Sequence, residues 1–156
     1  MTRLRIALLV LLGLFSAGAA MGAQAKERCL DGLKPALLAG GFSGSTDCGR
    51  DALSIARIGT VRAHGREYTV FDYRYQLASK CRDCAIHGGQ RILFFRAGRY
   101  VGQYKPDSAD LAIVGGRLVL SPTSGMPGAR PVTLRFTRRG PPMQVWFDGS
   151  NLEFFR

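Results

Sequence analysis

The spacing of apolar residues changes once along this chain, near residue 50. Before that point Leu30, Leu33, Leu37 and Leu38 recur at the three-to-four-residue interval that puts them on one face of a helix. Asp31, or Lys34 with Pro35, is a plausible start, and Gly40-Gly41 is a stop, so the pattern predicts an N-terminal helix within residues 27–41. Residues 42–50 are rich in Ser, Gly, Thr and Asp and read as loop.

After residue 50 the period falls to two. Phe71, Tyr73, Tyr75 and Leu77 alternate with Asp72, Arg74 and Gln76, which predicts a half-buried strand. Residues 58–62 precede it across a turn at Ala63-His64-Gly65-Arg66. The run Ile92-Leu93-Phe94-Phe95 is apolar at every position, as a strand buried on both faces would be, and Ala97-Gly98-Arg99 turns it into a strand over residues 100–104. Residues 111–114 and 118–120 flank Gly115-Gly116 as a hairpin. Residues 121–131 carry three prolines and two glycines and form the longest irregular link. Val132, Leu134 and Phe136 alternate again, as do Met143, Val145 and Phe147, and residues 152–155 close the chain as a last strand.

Links this short force neighbouring strands to run antiparallel, because parallel neighbours need a crossover of a dozen residues or more. The expected fold is therefore mainly β: an N-terminal helix, then a small antiparallel sheet of about seven or eight strands, closing as a barrel or a sandwich.

The first 25 residues belong to neither pattern. Arg3 and Arg5 precede an apolar stretch from Ile6 to Leu12, small residues follow, and Ala23-Gln24-Ala25 offers the side chains a signal peptidase reads. That order predicts a cleaved secretory leader over residues 1–25 and one β-rich domain over residues 26–156. The apolar core is roughly half the length a membrane span needs, and no later segment is apolar enough, so the cleaved chain is expected to lack a transmembrane segment. The use of Arg over Lys, with abundant Ala and Gly, fits a GC-rich bacterial genome, in which export means the periplasm or the medium.

Charge sharpens the picture. Without Arg3 and Arg5 the chain keeps twenty basic and eleven acidic residues, and from Ala85 onward ten basic residues face only four acidic ones. Such an excess favours anionic partners: a lipid or lipopolysaccharide surface, an acidic glycan, or an acidic protein. Most aromatic residues fall on predicted strands. One predicted face gathers Arg96, Arg99, Tyr100 and Tyr104, where cations beside rings would suit a sugar or an acidic ligand.

Four cysteines remain after the leader: Cys29, Cys48, Cys81 and Cys84. An even count in an exported chain predicts two disulfides, and sequence distance favours Cys29–Cys48 and Cys81–Cys84. Cys81-Arg82-Asp83-Cys84 also has the spacing of a redox pair, with Lys80 and Arg82 to stabilise a thiolate. A thioredoxin-type motif, however, lies where a strand feeds a helix, whereas Gly88-Gly89 follows here. His87 extends the spacing to that of a three-ligand metal loop, but thiolates would have to stay reduced outside the cytoplasm.

No nucleophile elbow, phosphate-binding loop or dinucleotide fingerprint occurs. The sequence therefore favours an exported, non-enzymatic binding protein that engages an anionic envelope component, without cofactor or metal. A thiol-disulfide protein built on Cys81 and Cys84 is the alternative.

Overall fold

A computed structural model describes residues 28–30, 32–79, 81, 85–125 and 127–156. The expected leader lies outside these residues. What they form is mainly β: nine strands in three antiparallel sheets. Strands β1 (Ala52–Ala63), β2 (Arg66–Gln76), β3 (Gly88–Arg96) and β4 (Arg99–Tyr104) make a four-stranded meander in that order. Strands β5 (Ala109–Val114), β6 (Arg117–Pro122) and the short β7 (Val132–Thr133) make the second sheet. A hairpin of β8 (Gln144–Phe147) and β9 (Ser150–Glu153) is the third.

The expectation of a barrel is corrected. Among the described residues no sheet closes on itself; the meander ends in β1 on one side and β4 on the other. A closed barrel of this size would have one interior core, whereas the side chains of β3 alternate between two separate cores, each covered by other segments of the chain.

On one face Ile92 and Phe94 join Val61, Val70, Tyr104, Leu118, Leu120, Leu134, Phe147 and Leu152 beneath the other two sheets. On the opposite face Leu93 and Phe95 join Phe71, Tyr73, Tyr100, Leu30, Leu37 and Phe42 beneath the N-terminal segment. All four residues of the apolar run are at most 3% exposed. Burying side chains of this size stabilises the fold by about 1.5–3 kcal/mol each, and the central sheet collects that gain twice.

Within residues 27–41, where one helix is expected from Asp31 or from Lys34–Pro35 up to Gly40–Gly41, the helical residues fall in two pieces. The described residues form a 3-10 turn at Arg28–Leu30 and a six-residue helix α1 (Lys34–Ala39). Gly32 sits between them at φ +73, a conformation incompatible with a continuous right-handed helix. Pro35 then occupies the first turn of α1, where its missing N–H is tolerated. The Cys29–Cys48 disulfide ties the 3-10 turn to the loop before β1, with the two Cα atoms 6.2 Å apart.

Two β-bulges break the simple alternation. Between Arg57 and Gly59 the register of β1 against β2 shifts by one, and between Tyr100 and Gly102 the register of β4 against β3 does the same. An extra residue reverses which face the following side chains take. Leu53 and Ile55 therefore face the N-terminal side, while Val61 faces the other core. Past β7 the backbone leaves the ladder, although Leu134 still donates to the Leu118 carbonyl and stays buried. The chain end returns to the meander: Gln103 and Phe155 exchange two backbone hydrogen bonds, of 2.8 and 3.1 Å.

Candidate functional site

The turn joining β3 to β4 is built from Ala97 and Gly98, both at positive φ, +49 and +73. This is the two-residue geometry that matches the twist of a hairpin, and it favours Asn-Gly or Gly-Gly. Ala97 adopts it without a polar side chain to compensate, so the turn is slightly strained. Its effect is to hold Arg96 and Arg99 as a cross-strand pair at the tip of the hairpin, both exposed.

A cleft of about 550 Å³ opens between this tip, the C-terminal end of α1 at Ala36, Ala39 and Gly40, and Arg156. Tyr100 lines it. On the other side of Arg96, Val101 and Arg156 lies a second cleft of about 360 Å³, walled by Arg139, Pro141, Met143, Phe154 and Phe155. The two clefts share Arg96, Val101 and Arg156. Together they are lined by four arginines, Arg96, Arg99, Arg139 and Arg156.

Among the described residues no acidic side chain lines either cleft. The ion pairs formed among the described residues lie elsewhere, joining Arg50 to Asp47 and Asp51, Arg62 to Glu67, and Arg74 to Asp72. Within the described residues the four cleft arginines have no carboxylate partner. Arginines without carboxylate partners along two adjoining clefts raise the local positive potential, which favours an anion there.

The sequence expectation placed Arg96, Arg99, Tyr100 and Tyr104 on one exposed face. The structure brings Arg96, Arg99 and Tyr100 to the first cleft and leaves Tyr104 out. The expected exposure of the two rings is corrected: Tyr100 is 5% exposed and Tyr104 is fully buried. The bulge at Val101 is the cause. It sends Tyr100 toward Phe42 and Phe95 on one face of the meander and Tyr104 toward Phe94 and Phe154 on the other.

Tyr104 donates its hydroxyl hydrogen to the Pro142 carbonyl, whereas the Tyr100 hydroxyl is buried with no hydrogen-bond partner. Burial raises the pKa of Tyr100 well above the ordinary phenol value, and the nearby charges of Arg91 and Arg156 pull the other way. These rings are packing elements, not a stacking platform. Arg139 and Arg156 were not anticipated, because their positions become neighbours only through the return of the chain end onto β4.

Arg91 has a different role. Its guanidinium lies 5.4 Å from the centre of the Phe42 ring and 5.5 Å from that of Tyr75. One amino group donates to Gln103 Oε1 at 3.0 Å and to Ser43 Oγ at 3.3 Å. It is a half-buried cation held by two rings, one amide oxygen and one hydroxyl, and it fastens the N-terminal loop to the sheet.

Of the remaining candidates, Cys29 and Cys48 are bonded to each other. Cys81 is exposed and disulfide-bonded; Cys84, its expected partner, lies outside the described residues, as do Lys80 and Arg82. His87 is exposed, and His64 contacts the Phe136 carbonyl through Nε2 at 3.2 Å. Among the described residues no three His, Cys, Asp or Glu side chains gather as a metal site would require, and no helix is long and apolar enough to cross a membrane.

Comparison with protein-family models, with curated proteins and with solved structures finds no match to this chain.

Proposed function

We propose that this chain is an exported, non-enzymatic binding protein for an anionic component of the cell envelope, and that the paired clefts around Arg96 and Arg156 receive the anion. One observation carries the reading: four guanidinium groups, none with a carboxylate partner among the described residues, surround two clefts that share a wall. Guanidinium groups present a planar fork of donors that matches the oxygens of phosphate or carboxylate, so arginine suits such a site better than lysine. The basic excess of the C-terminal half adds long-range attraction for the same class of ligand. Export rests on the leader pattern of residues 1–25, and the Cys29–Cys48 disulfide fits an oxidising compartment.

The test is calorimetric titration with glycerol phosphate, a sulfated oligosaccharide and anionic vesicles, at low and at moderate ionic strength. The double variant Arg96→Gln/Arg156→Gln is compared with Arg57→Gln/Arg66→Gln, which removes the same charge from exposed positions on β1 and β2. Binding that falls at least about tenfold in the first variant and little in the second supports the site. Equal losses would reduce the effect to net charge. Absence of binding even at low salt, where such contacts are strongest, would dismiss the function.

A further inference from the structure

We infer that the anion taken by these clefts carries a hydrocarbon chain and is presented by a membrane: an anionic phospholipid, its phosphate held by Arg96, Arg139 and Arg156 and its acyl chain lying along Met143 and Phe155. The inference rests on the binding role proposed above and names the ligand class.

The second cleft is the source of the argument. Met143 is 68% exposed and Phe155 is 38% exposed, although both are large apolar side chains. Each lines the same cleft as three of the four arginines, and Pro141 and Phe154 continue the apolar wall. An apolar surface left open beside unpaired cations is the pattern that an amphiphilic anion complements, with charge meeting charge and hydrocarbon covering the Met and Phe side chains. Methionine is suited to that task, since its flexible thioether adapts to chains of variable conformation.

A glycan is a poorer fit. Sugar hydroxyls need acceptors as well as donors, and guanidinium groups only donate. No Asp, Glu, Asn or Gln side chain lines either cleft. The two tyrosines that line the clefts, Tyr68 and Tyr100, are each at most 5% exposed, which leaves Phe155 as the one exposed ring among the cleft residues. A second copy of this chain is disfavoured as the occupant by the basic excess that both copies would carry.

The experiment uses the whole exported chain and four ligands: vesicles of phosphatidylcholine, vesicles containing phosphatidylglycerol, glycerol phosphate as the same headgroup without chains, and a sulfated oligosaccharide. Partitioning is measured by vesicle sedimentation and headgroup binding by calorimetry. Met143→Ser keeps every guanidinium, and a residue this exposed tolerates the change. It is expected to lower partitioning into phosphatidylglycerol vesicles by about fivefold to tenfold, and glycerol phosphate binding by much less than Arg139→Gln does. Arg139→Gln should lower both, and Arg57→Gln neither.

If Met143→Ser partitions like the parent, or if glycerol phosphate or a sulfated oligosaccharide binds as tightly as the vesicles, the hydrocarbon assignment is wrong and the anion-binding reading survives. If vesicles, glycerol phosphate and the sulfated oligosaccharide all fail to bind at low salt, both fall.

Discussion

The side-chain amide of Gln90 pairs with the backbone of Ala109 as a neighbouring strand would: Ala109 N donates to Oε1 at 2.7 Å, and Nε2 donates to the Ala109 carbonyl at 2.8 Å. The same Nε2 also donates to Asp72 Oδ1 at 2.8 Å. Gln90 and Ala109 are both buried, so this single side chain joins the first residue of β5 to the central strand of the meander. With Arg74, whose guanidinium donates to the same Ala109 carbonyl at 3.3 Å, it links two sheets that also meet through apolar side chains.

Gln90→Leu conserves volume but leaves the Ala109 N–H without an acceptor in a buried setting. An unsatisfied buried group costs about 1–3 kcal/mol, and the lost bond to Asp72 adds to it. The expected loss is therefore about 2–3 kcal/mol in urea unfolding, with amide exchange fastest over β5 and β6. A change below about 0.5 kcal/mol, within the range of an ordinary surface substitution, would show that packing alone joins the sheets.

Asp51 gives the fold a dependence on acid. Its buried carboxylate accepts from the Ser45 hydroxyl, from the Ala78 amide at 3.0 Å and from the Arg50 guanidinium at 3.3 Å. These bonds, the Ser45 hydroxyl foremost, hold its pKa down to about 2. A carboxylate with a depressed folded pKa contributes stability that is complete above its ordinary value near 4 and is lost as the pH falls through about 2. Asp51→Asn should therefore be much less stable than the parent at neutral pH. The gap should narrow on acidification, as urea midpoints across that window will record. A gap of constant size would mean that the carboxylate charge plays no part.

Three tyrosines set the alkaline limit. Burial pushes Tyr73 up to about 12 and raises Tyr100 and Tyr104 further. A neutral group whose folded pKa is raised contributes stability that is present below its ordinary value near 10 and is lost as the pH climbs through the folded one. Phenolate absorbance should therefore rise in a cooperative step that coincides with loss of the β-sheet circular dichroism. A smooth, reversible titration of all the tyrosines with the sheet intact would contradict it. Substitution separates the three. Tyr73, which donates to the Ser45 carbonyl at 2.7 Å, and Tyr104 should each lose about 1 kcal/mol on conversion to Phe. Tyr100→Phe removes a hydroxyl with no partner and should be neutral or stabilising.

Alternation and turn residues made most strands legible, because period two and glycine at hairpin turns are local signals. Ile92 to Phe95 was readable as a central strand, since only burial on both faces tolerates four apolar residues in a row. The bulges were not visible in alternation, where one inserted residue exchanges the two faces downstream without changing composition. Tyr100 and Tyr104, four positions apart, look co-facial and are not. Gly102 was the one available hint, as an isolated glycine inside a strand often marks a bulge or a close backbone approach. That Arg96 and Arg99 lie together was legible because a hairpin tip is local. Arg139 and Arg156 were missed because the chain end pairs with Gln103, a contact that spans fifty residues of sequence.

That contact offers the sharpest link between fold and site. Gly102 is buried at φ +150, and a Cβ placed there would lie 2.4 Å from the Phe154 ring and 2.9 Å from the Phe155 carbonyl oxygen. The chain end therefore lies so close to β4 that only glycine fits beneath it, and this approach brings Arg156 to the wall shared by the two clefts. Gly102→Ala should cost about 1–3 kcal/mol by overpacking, expose the Phe155 amide to exchange, and weaken anion binding as Arg156 shifts. Phe154 packs on Phe94 and Tyr104 with ring centres 5.7 and 5.2 Å away, so Phe154→Leu alone should also destabilise the fold. In the Gly102→Ala background the smaller side chain relieves the clash. The double variant should then be more stable than the sum of the two single losses allows, by about 0.5 kcal/mol or more, and should regain part of its anion affinity. Strict additivity would mean that the ring does not press on Gly102, and that the position of Arg156 is set by something other than this contact.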